Sequence, residues 1–212
     1  MSRKLGSNSM SEITAITPQK KDKLRCNIEV DGRFYCGMKL ETVMQHRLKV
    51  GASVTPDFLA QIQLESEKGT ALDKALTHIS ASMKTEREVR AYLARKGYLA
   101  DVSEYVIGRM KELAFLDDAL YARMYVESAG KRKGERIIEM ELRRKGVAQE
   151  DISAALETLT NKEETAKTVL NKYLRGKELD KNTFRKAYAH LISKGFDYDT
   201  ARAALQGLQD ED

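Results

Sequence analysis

The chain has 212 residues, a formal net charge of +5 and a pI near 9.0, with 42% hydrophobic and 33% charged residues. No apolar run approaches the ~18 residues that a membrane span needs. Residues 1–10 carry Arg3 and Lys4 with no apolar stretch behind them, which reads against a secretory signal and makes the cytoplasm the default compartment. Two prolines, no tryptophan and abundant Ala, Leu, Lys, Arg and Glu favour helix.

In chain order, residues 1–12 read as a flexible tail and residues 13–69 as a small β-plus-helix head. Ile13 to Thr17, Leu24 to Val30 and Arg33 to Gly37 are rich in strand formers. They are broken by Gln19-Lys20-Lys21-Asp22 and by the hairpin pair Asp31-Gly32. These predict a three-stranded meander. A two-residue turn pairing Val30 with Arg33 sets Asn27 opposite Cys36 and Cys26 opposite Gly37. The two thiols are then expected on opposite faces, as ordinary reduced cysteines rather than a disulfide or half of a zinc site. Lys39 to Val50 is expected to be helical and stopped by Gly51. Thr55-Pro56 then opens a helix with Phe58, Leu59, Ile62 and Gln63 on its apolar face, which Gly69 is expected to end.

The decisive feature follows. Leu-x-x-Lys-Gly occurs at Leu93 to Gly97, Leu142 to Gly146 and Leu191 to Gly195, so that the three glycines stand 49 residues apart. The same offset carries Arg87 to Arg136 to Arg185, Val89 to Ile138 to Ala187, Tyr98 to Val147 to Phe196, Ile107 to Leu156 to Leu205 and Met110 to Leu159 to Leu208. Upstream it carries Leu72 to Tyr121 to Leu170. An ungapped repeat near fifty residues marks tandem units. They are read as 70–112, 113–160 and 161–209, each of three helices. In the first, Thr70 opens helix one, Thr85-x-x-Glu88 is a capping box for helix two, Gly97 closes it, and Asp101-x-x-Glu104 opens helix three. In the second, Asp117 caps helix one and Gly130 ends it, helix two runs from Glu135 to Lys145, and helix three from Gln149 to Leu159. In the third, Asn182 is expected to cap helix two and Asp197 helix three. The expected fold is mainly α: tandem three-helix bundles in an elongated, curved array, with the β meander and linking helices at the N-terminus.

Charge is concentrated on helix two of each unit. The segments 84–96, 131–145 and 181–194 carry +3, +4 and +4, which leaves −6 for the rest of the chain. Lys96, Lys145 and Lys194 sit in last turns, where cations suit the helix dipole. Lys131-Arg132-Lys133 precede a helix start, where they do not, and Arg136 and Arg143 are seven apart and so project in nearly one direction. The candidate binding residues are Lys84, Arg87, Arg90, Arg95, Lys131, Arg132, Lys133, Arg136, Arg143, Arg144, Lys145, Lys181, Arg185 and Lys186. Their expected target is a polyanion or an acidic protein surface.

Catalytic signals are missing. No phosphate-binding loop or dinucleotide fingerprint occurs, and His46, His78 and His190 are isolated. Asp117-Asp118 reads as a helix start rather than a metal pair. No helix carries Asn, Gln and Arg at base-reading spacing. The sequence therefore points to a non-catalytic binding protein with no cofactor or metal. Two alternatives are a plain nucleic-acid binder acting through phosphate contacts and an enzyme on nucleic acid.

Leu116-Asp-Asp-Ala-Leu-Tyr-Ala122 followed by Lys133-Gly-Glu-Arg-Ile-Ile-Glu-Met-Glu-Leu-Arg-Arg-Lys-Gly-Val147 resembles the signature of the bacterial regulatory protein family RecX. Lys84 to Tyr98 is similar to that family's opening repeat, and the head to the N-terminal extension of Gram-positive members. The resemblance spans about residues 70–208. It implies a monomeric modulator of the RecA recombinase, one that binds RecA and its single-stranded-DNA filament and restrains strand exchange, ATP hydrolysis and co-protease activity, with weak direct DNA binding alongside. Carried over residue by residue, it bears on Lys133, Arg136, Arg143, Arg144 and Lys145. The third unit departs from the pattern at Phe184, Ala187 and Ser193.

Overall fold

In a computed structural model, residues 10–178 and 180–209 are described; the side chains of Leu208 and Gln209 lie outside that description, as do residues 1–9 of the expected tail. The described residues are mainly helical, with ten helices and four strands. The chain divides into two compact units, residues 1–116 and 117–212.

The first unit opens with β1 (Ser11–Pro18), β2 (Arg25–Val30) and β3 (Arg33–Lys39). β1 thus begins inside the stretch expected to be tail. Asp31 and Gly32 both take positive φ, as the favoured hairpin turn requires. The sheet has a fourth strand, β4 (Ser53–Val54), and the order β3-β2-β1-β4, antiparallel throughout. Two residues are too few to show a period, which is why the meander was expected to stop at three strands. Lys39 to Val50 is not one helix. α1 covers Leu40–Gln45 and stops where Arg47 turns left-handed.

The cysteine expectation is also corrected. Two residues of β3, Phe34 and Tyr35, occupy the place of one between Glu29 and Ile28, so Cys36 pairs with Ile28 and Cys26 with Met38. This bulge shifts the register by one residue. Both thiols therefore lie on the buried face with Ile28 and Met38, in the core that Ile13, Val54, Leu59 and Ile62 complete. Both are free. Burial pushes the Cys36 thiol up to about 12 and raises that of Cys26 against the opposing charge of Arg25.

α2 (Pro56–Ser80) begins as expected, with Thr55 accepting from the Phe58 amide and proline in the first turn. It does not stop at Gly69, and Thr70 opens nothing. One buried stripe, Leu59, Ile62, Gln63, Glu67, Ala71 and Ala75, runs the whole length of the helix. Burial along that stripe outweighs the roughly 1 kcal/mol a mid-helix glycine costs. The second half of α2 then packs with α3 (Glu86–Arg95) and α4 (Ala100–Glu112) around Val89, Leu93, Val106, Ile107 and Met110. The Thr85/Glu88 capping box forms. α4 starts two residues earlier than a cap at Asp101 would place it, with Leu99 at the cap position, and the Leu99 amide donates to Gln63 Oε1 at 2.7 Å.

Gln63 is the joint between sheet and bundle. Its Nε2 donates to Gly97 O at 2.9 Å and also to Gly37 O, and Gly37 N–H donates to Gly97 O at 2.7 Å. A Cβ on Gly97, whose φ is +83°, would stand 2.6 Å from Gly37 N, so two backbones meet where only glycine fits. Beside them lies a buried ion pair between Arg25 and Glu67, with Arg25 stacked 4.9 Å over Tyr98.

The second unit holds two three-helix bundles with separate cores. α5 (Asp118–Ala129), α6 (Glu135–Lys145) and α7 (Gln149–Leu156) enclose Tyr121, Val126, Ile138, Leu142 and Ile152. α8 (Lys162–Leu174), α9 (Lys181–Ser193) and α10 (Tyr198–Gln209) enclose Leu170, Ala187, Leu191, Phe196 and Ala204. Asp117 and Asp197 accept from Leu120 and Thr200 amides as helix caps. The cap of α9 is Asp180, which accepts from the Thr183 amide at 2.6 Å, and not Asn182, which lies inside the helix. The repeat columns coincide in burial: Val89, Ile138 and Ala187 are fully buried, as are Leu93, Leu142 and Leu191.

Two stability outcomes follow. Gly69→Ala, with open space around its Cβ, should raise stability by about 0.5–1 kcal/mol, whereas Gly97→Ala should lower it by about 2 kcal/mol or more; chemical denaturation of each variant checks the pair. Glu67→Gln should cost about 3–5 kcal/mol, because it strands the Arg25 charge in the core.

Candidate partner-binding face

Helix two of each repeat shows the same division. In α6, Ile138 and Leu142 are buried, while Arg136, Met140, Arg143 and Arg144 are exposed. Their spacing of four, three and one places them on one face. The equivalent face of α3 holds Arg87, Ala91, Ala94 and Arg95, all exposed. On α9 it holds Arg185, Ala189 and Ser193, exposed, with Lys181 and Lys186 also in solvent, while Ile192 is partly buried against the core. Ala187, singled out in the third unit's departures, is a core residue, so its small size bears on packing rather than on contact.

The fourteen candidate cations fall into three groups. Five are held by neighbours. Arg90 spans Glu86 (Nε to Oε1, 2.9 Å) and Glu104 (Nη2 to Oε2, 3.0 Å), and its pKa is raised chiefly by the Glu104 hydrogen bonds. Lys133 donates to both oxygens of Glu141 at 2.6 and 2.7 Å, and Glu141 also accepts from the Tyr125 hydroxyl at 2.6 Å. Arg143 pairs with Glu139 at 2.7 Å and donates to Gln149 at 2.9 Å. Lys145 lies 5.4 Å over the Tyr121 ring, and Lys84 reaches the Ser82 hydroxyl. Arg185 donates to Asn182 Oδ1 at 3.3 Å and has no ion pair among the described residues. The remaining eight, Arg87, Arg95, Lys131, Arg132, Arg136, Arg144, Lys181 and Lys186, are exposed and have no ion pair among the described residues.

Within the second unit, α9 and α6 meet end to end. Gly134 N–H donates to Lys194 O at 2.9 Å and Arg136 N–H to Gly195 O at 3.3 Å. A Cβ on Gly134 would lie 2.2 Å from Gly195 C, so this junction too is glycine against glycine. The last carbonyls of one basic helix thus satisfy the first amides of the other, and the cations of α9 lead into those of α6.

The sequence reading passed over Met140. It is 57% exposed between Arg136 and Arg143, and the column Ala91, Met140, Ala189 at the repeat offset is the signal that marks it. The histidines pack against rings: His78 stacks on Tyr92 at 4.0 Å and His190 on Tyr173 at 4.4 Å. Burial lowers the pKa of both, helped by Lys84, Arg95 and Lys96 around His78 and by Lys194 and Lys177 near His190. Among the described residues, no group of three His, Cys, Asp or Glu side chains could hold a metal ion, and no helix is long and apolar enough to cross a membrane.

Sequence profiles of one family match three stretches of the chain: the regulatory protein RecX N-terminal domain over residues 11–55, the first RecX three-helix domain over 71–110 and the second over 117–156. The regulatory protein RecX of Clostridium perfringens strain 13 is 31% identical over 205 residues, covering 94% of this chain and 97% of that one. The chain belongs to the RecX family. The RecX of Lacticaseibacillus paracasei is 33% identical over 202 residues, covering 92% and 84% of the two chains. A crystal structure of regulatory protein RecX superimposes with a TM-score of 0.60 at 27% identity, covering 91% of this chain and 97% of that one. RecX proteins are named as regulators, and the three-helix domains of the family are the units that carry the exposed basic faces here.

The Lys133–Glu141 contact has a pH signature. Burial alone would raise the Glu141 carboxyl, but hydrogen bonds from Lys133 and Tyr125 hold it below its ordinary 4.5. A lowered folded-state pKa contributes stability above the unfolded value and loses it as pH falls through the folded one. Lys133→Met should therefore cost about 1–2 kcal/mol at neutral pH, and the gap from the parent chain should close as pH falls below 4.5, as thermal melting across pH would read.

Proposed function

We propose that this chain regulates the RecA recombinase, binding RecA and its single-stranded-DNA filament as a monomer in the cytoplasm and restraining strand exchange, ATP hydrolysis and co-protease activity. The observation that carries the reading is the exposed face of α6. Arg136 and Arg144 stand in solvent without an ion pair among the described residues, on either side of an exposed Met140. Membership in a family of regulatory proteins supports it. Exposed arginines around an apolar side chain have the composition of a protein-binding hot spot, which favours protein with phosphate over phosphate alone. The contact set is Arg87, Arg95, Lys131, Arg132, Arg136, Arg144, Lys181, Arg185 and Lys186. Arg90, Lys133 and Lys145 hold the fold, and Arg143 serves both. Several modest sites on one chain add through effective concentration. The action is binding, with no chemical step.

The test is RecA-dependent ATP hydrolysis on single-stranded DNA, titrated with this chain at two salt concentrations. Inhibition well below stoichiometric coverage of the DNA supports the reading. Equal affinity for naked DNA, with a steep loss in salt, supports plain phosphate binding instead. The double variant Arg136→Glu/Arg144→Glu should weaken filament binding about tenfold or more with melting unchanged within about 2 °C. A collapse in melting would make those arginines structural.

A further inference from the structure

Three large apolar side chains of the head stand in solvent side by side. Leu24 is 77% exposed, Met44 70% and Leu40 42%. All three line one groove of about 710 Å³, formed by the turn before β2, the end of β3, α1 and the middle of α2. The same groove is lined by three cations, Arg25, Lys39 and Lys74, against two carboxylates, Asp22 and Glu41. Lys39 donates to a backbone carbonyl, Ser66 O, at 2.9 Å. Lys74 is half-buried and has no ion pair or hydrogen bond among the described residues; the Tyr98 ring lies 5.8 Å from its Nζ. Burial and the nearby Arg25 charge hold Lys74 below the usual lysine range, against the opposing effect of Glu67 and Asp22. Arg25 is 4% exposed and gives one guanidinium nitrogen to Glu67, while Nη2 has no hydrogen-bond partner among the described residues. At the rim Asp22 accepts from the Leu24 amide and Glu41 from Gln45, so the three cations outnumber the two acids by one.

We propose that this groove docks an acidic, amphipathic segment of a partner protein, with apolar side chains laid over Leu24, Leu40 and Met44 and carboxylates set against Lys39 and Lys74. The excess of one cation in the lining and the Lys74 amine, which has no ion pair among the described residues, ask for an anion, because an opposite charge relieves a half-buried amine. The exposure asks for something larger than a metabolite. Small-molecule pockets enclose most of their ligand, whereas Leu24 and Met44 are covered only by an occupant lying across them, as a helix laid in a groove does. Methionine at such a surface adapts to irregular partners. Nucleic acid matches the cations but not the apolar lining. The proposal stands apart from the RecA reading, since it concerns the head alone and its test contains neither RecA nor DNA.

The experiment is fluorescence anisotropy of the full chain with a labelled helical peptide of leucine and glutamate, beside a leucine and lysine peptide with the same apolar spacing. The acidic peptide should bind and the basic one should not. Leu24→Asp and Met44→Asp, both at exposed positions and so expected to fold normally, should each weaken binding about tenfold or more. Lys74→Gln should weaken it as well, and Arg136→Glu/Arg144→Glu should leave it unchanged. The proposal is overturned if the acidic peptide fails to bind or both peptides bind alike. It is overturned equally if the head variants bind as the parent does, if the α6 variant loses affinity as they do, or if dodecanoate occupies the groove while the peptide does not.

Discussion

Where a helix ends, its last carbonyls need donors, and at two of the basic helices here they find them on a neighbouring element rather than in water. The Gly97 carbonyl after α3 takes the Gly37 amide of the sheet, and the Lys194 and Gly195 carbonyls after α9 take the amides that open α6. Both junctions set glycine against glycine, because backbone meets backbone with no room for a Cβ. This one contact orders much else. It seats the first bundle on the head, with Gln63 bridging Gly37, Gly97 and Leu99, and it orients α6 so that Ile138 and Leu142 enter the core while the arginines face out.

The charge of the chain has two uses. Some cations are building material: Arg90 staples α3 to α4 through Glu104, Lys133 ties the turn before α6 to Glu141, and Arg25 is sealed in the core with Glu67. Others lie in solvent with no ion pair among the described residues. Net charge alone, at +5, would not have separated these groups. The separation depends on which carboxylates the fold brings within reach, and it leaves α6 and the turn before it with Lys131, Arg132, Arg136 and Arg144 free of ion pairs among the described residues.

Much of the helical fold was legible in the sequence because the repeat is ungapped. Val89, Ile138 and Ala187 stay in register, and Gly134 and Gly146 bracket α6 at the bounds expected for it. What could not be read was non-local or too short. β4 has two residues. The bulge beside Ile28 moved both cysteines to one face by inserting a single residue. Gly69 looked like a helix stop, but the buried stripe from Leu59 to Ala75 carries the helix through it. Asn182 looked like a cap, but Asp180 lies two residues earlier with its carboxylate on the Thr183 amide. At the candidate face, the arginine positions were visible in the columns. The engagement of Arg90 and Lys133 was not, since their partners Glu104 and Glu141 lie across a turn. Met140 was hidden by its own composition, since an apolar residue in an amphipathic helix is ordinarily assigned to the core.

The unbroken run of α2 has a mechanical meaning. At 25 residues, such a helix is about 37 Å long, and the sheet grips its first half while the first bundle grips its second. Load or heat applied at either end travels along one hydrogen-bonded rod. Severing the rod midway would leave four bare amides and four bare carbonyls at the break. The head and the first three-helix domain therefore lose their order in a single cooperative step, so that the strand-rich module acts as a splint for the domain that follows it.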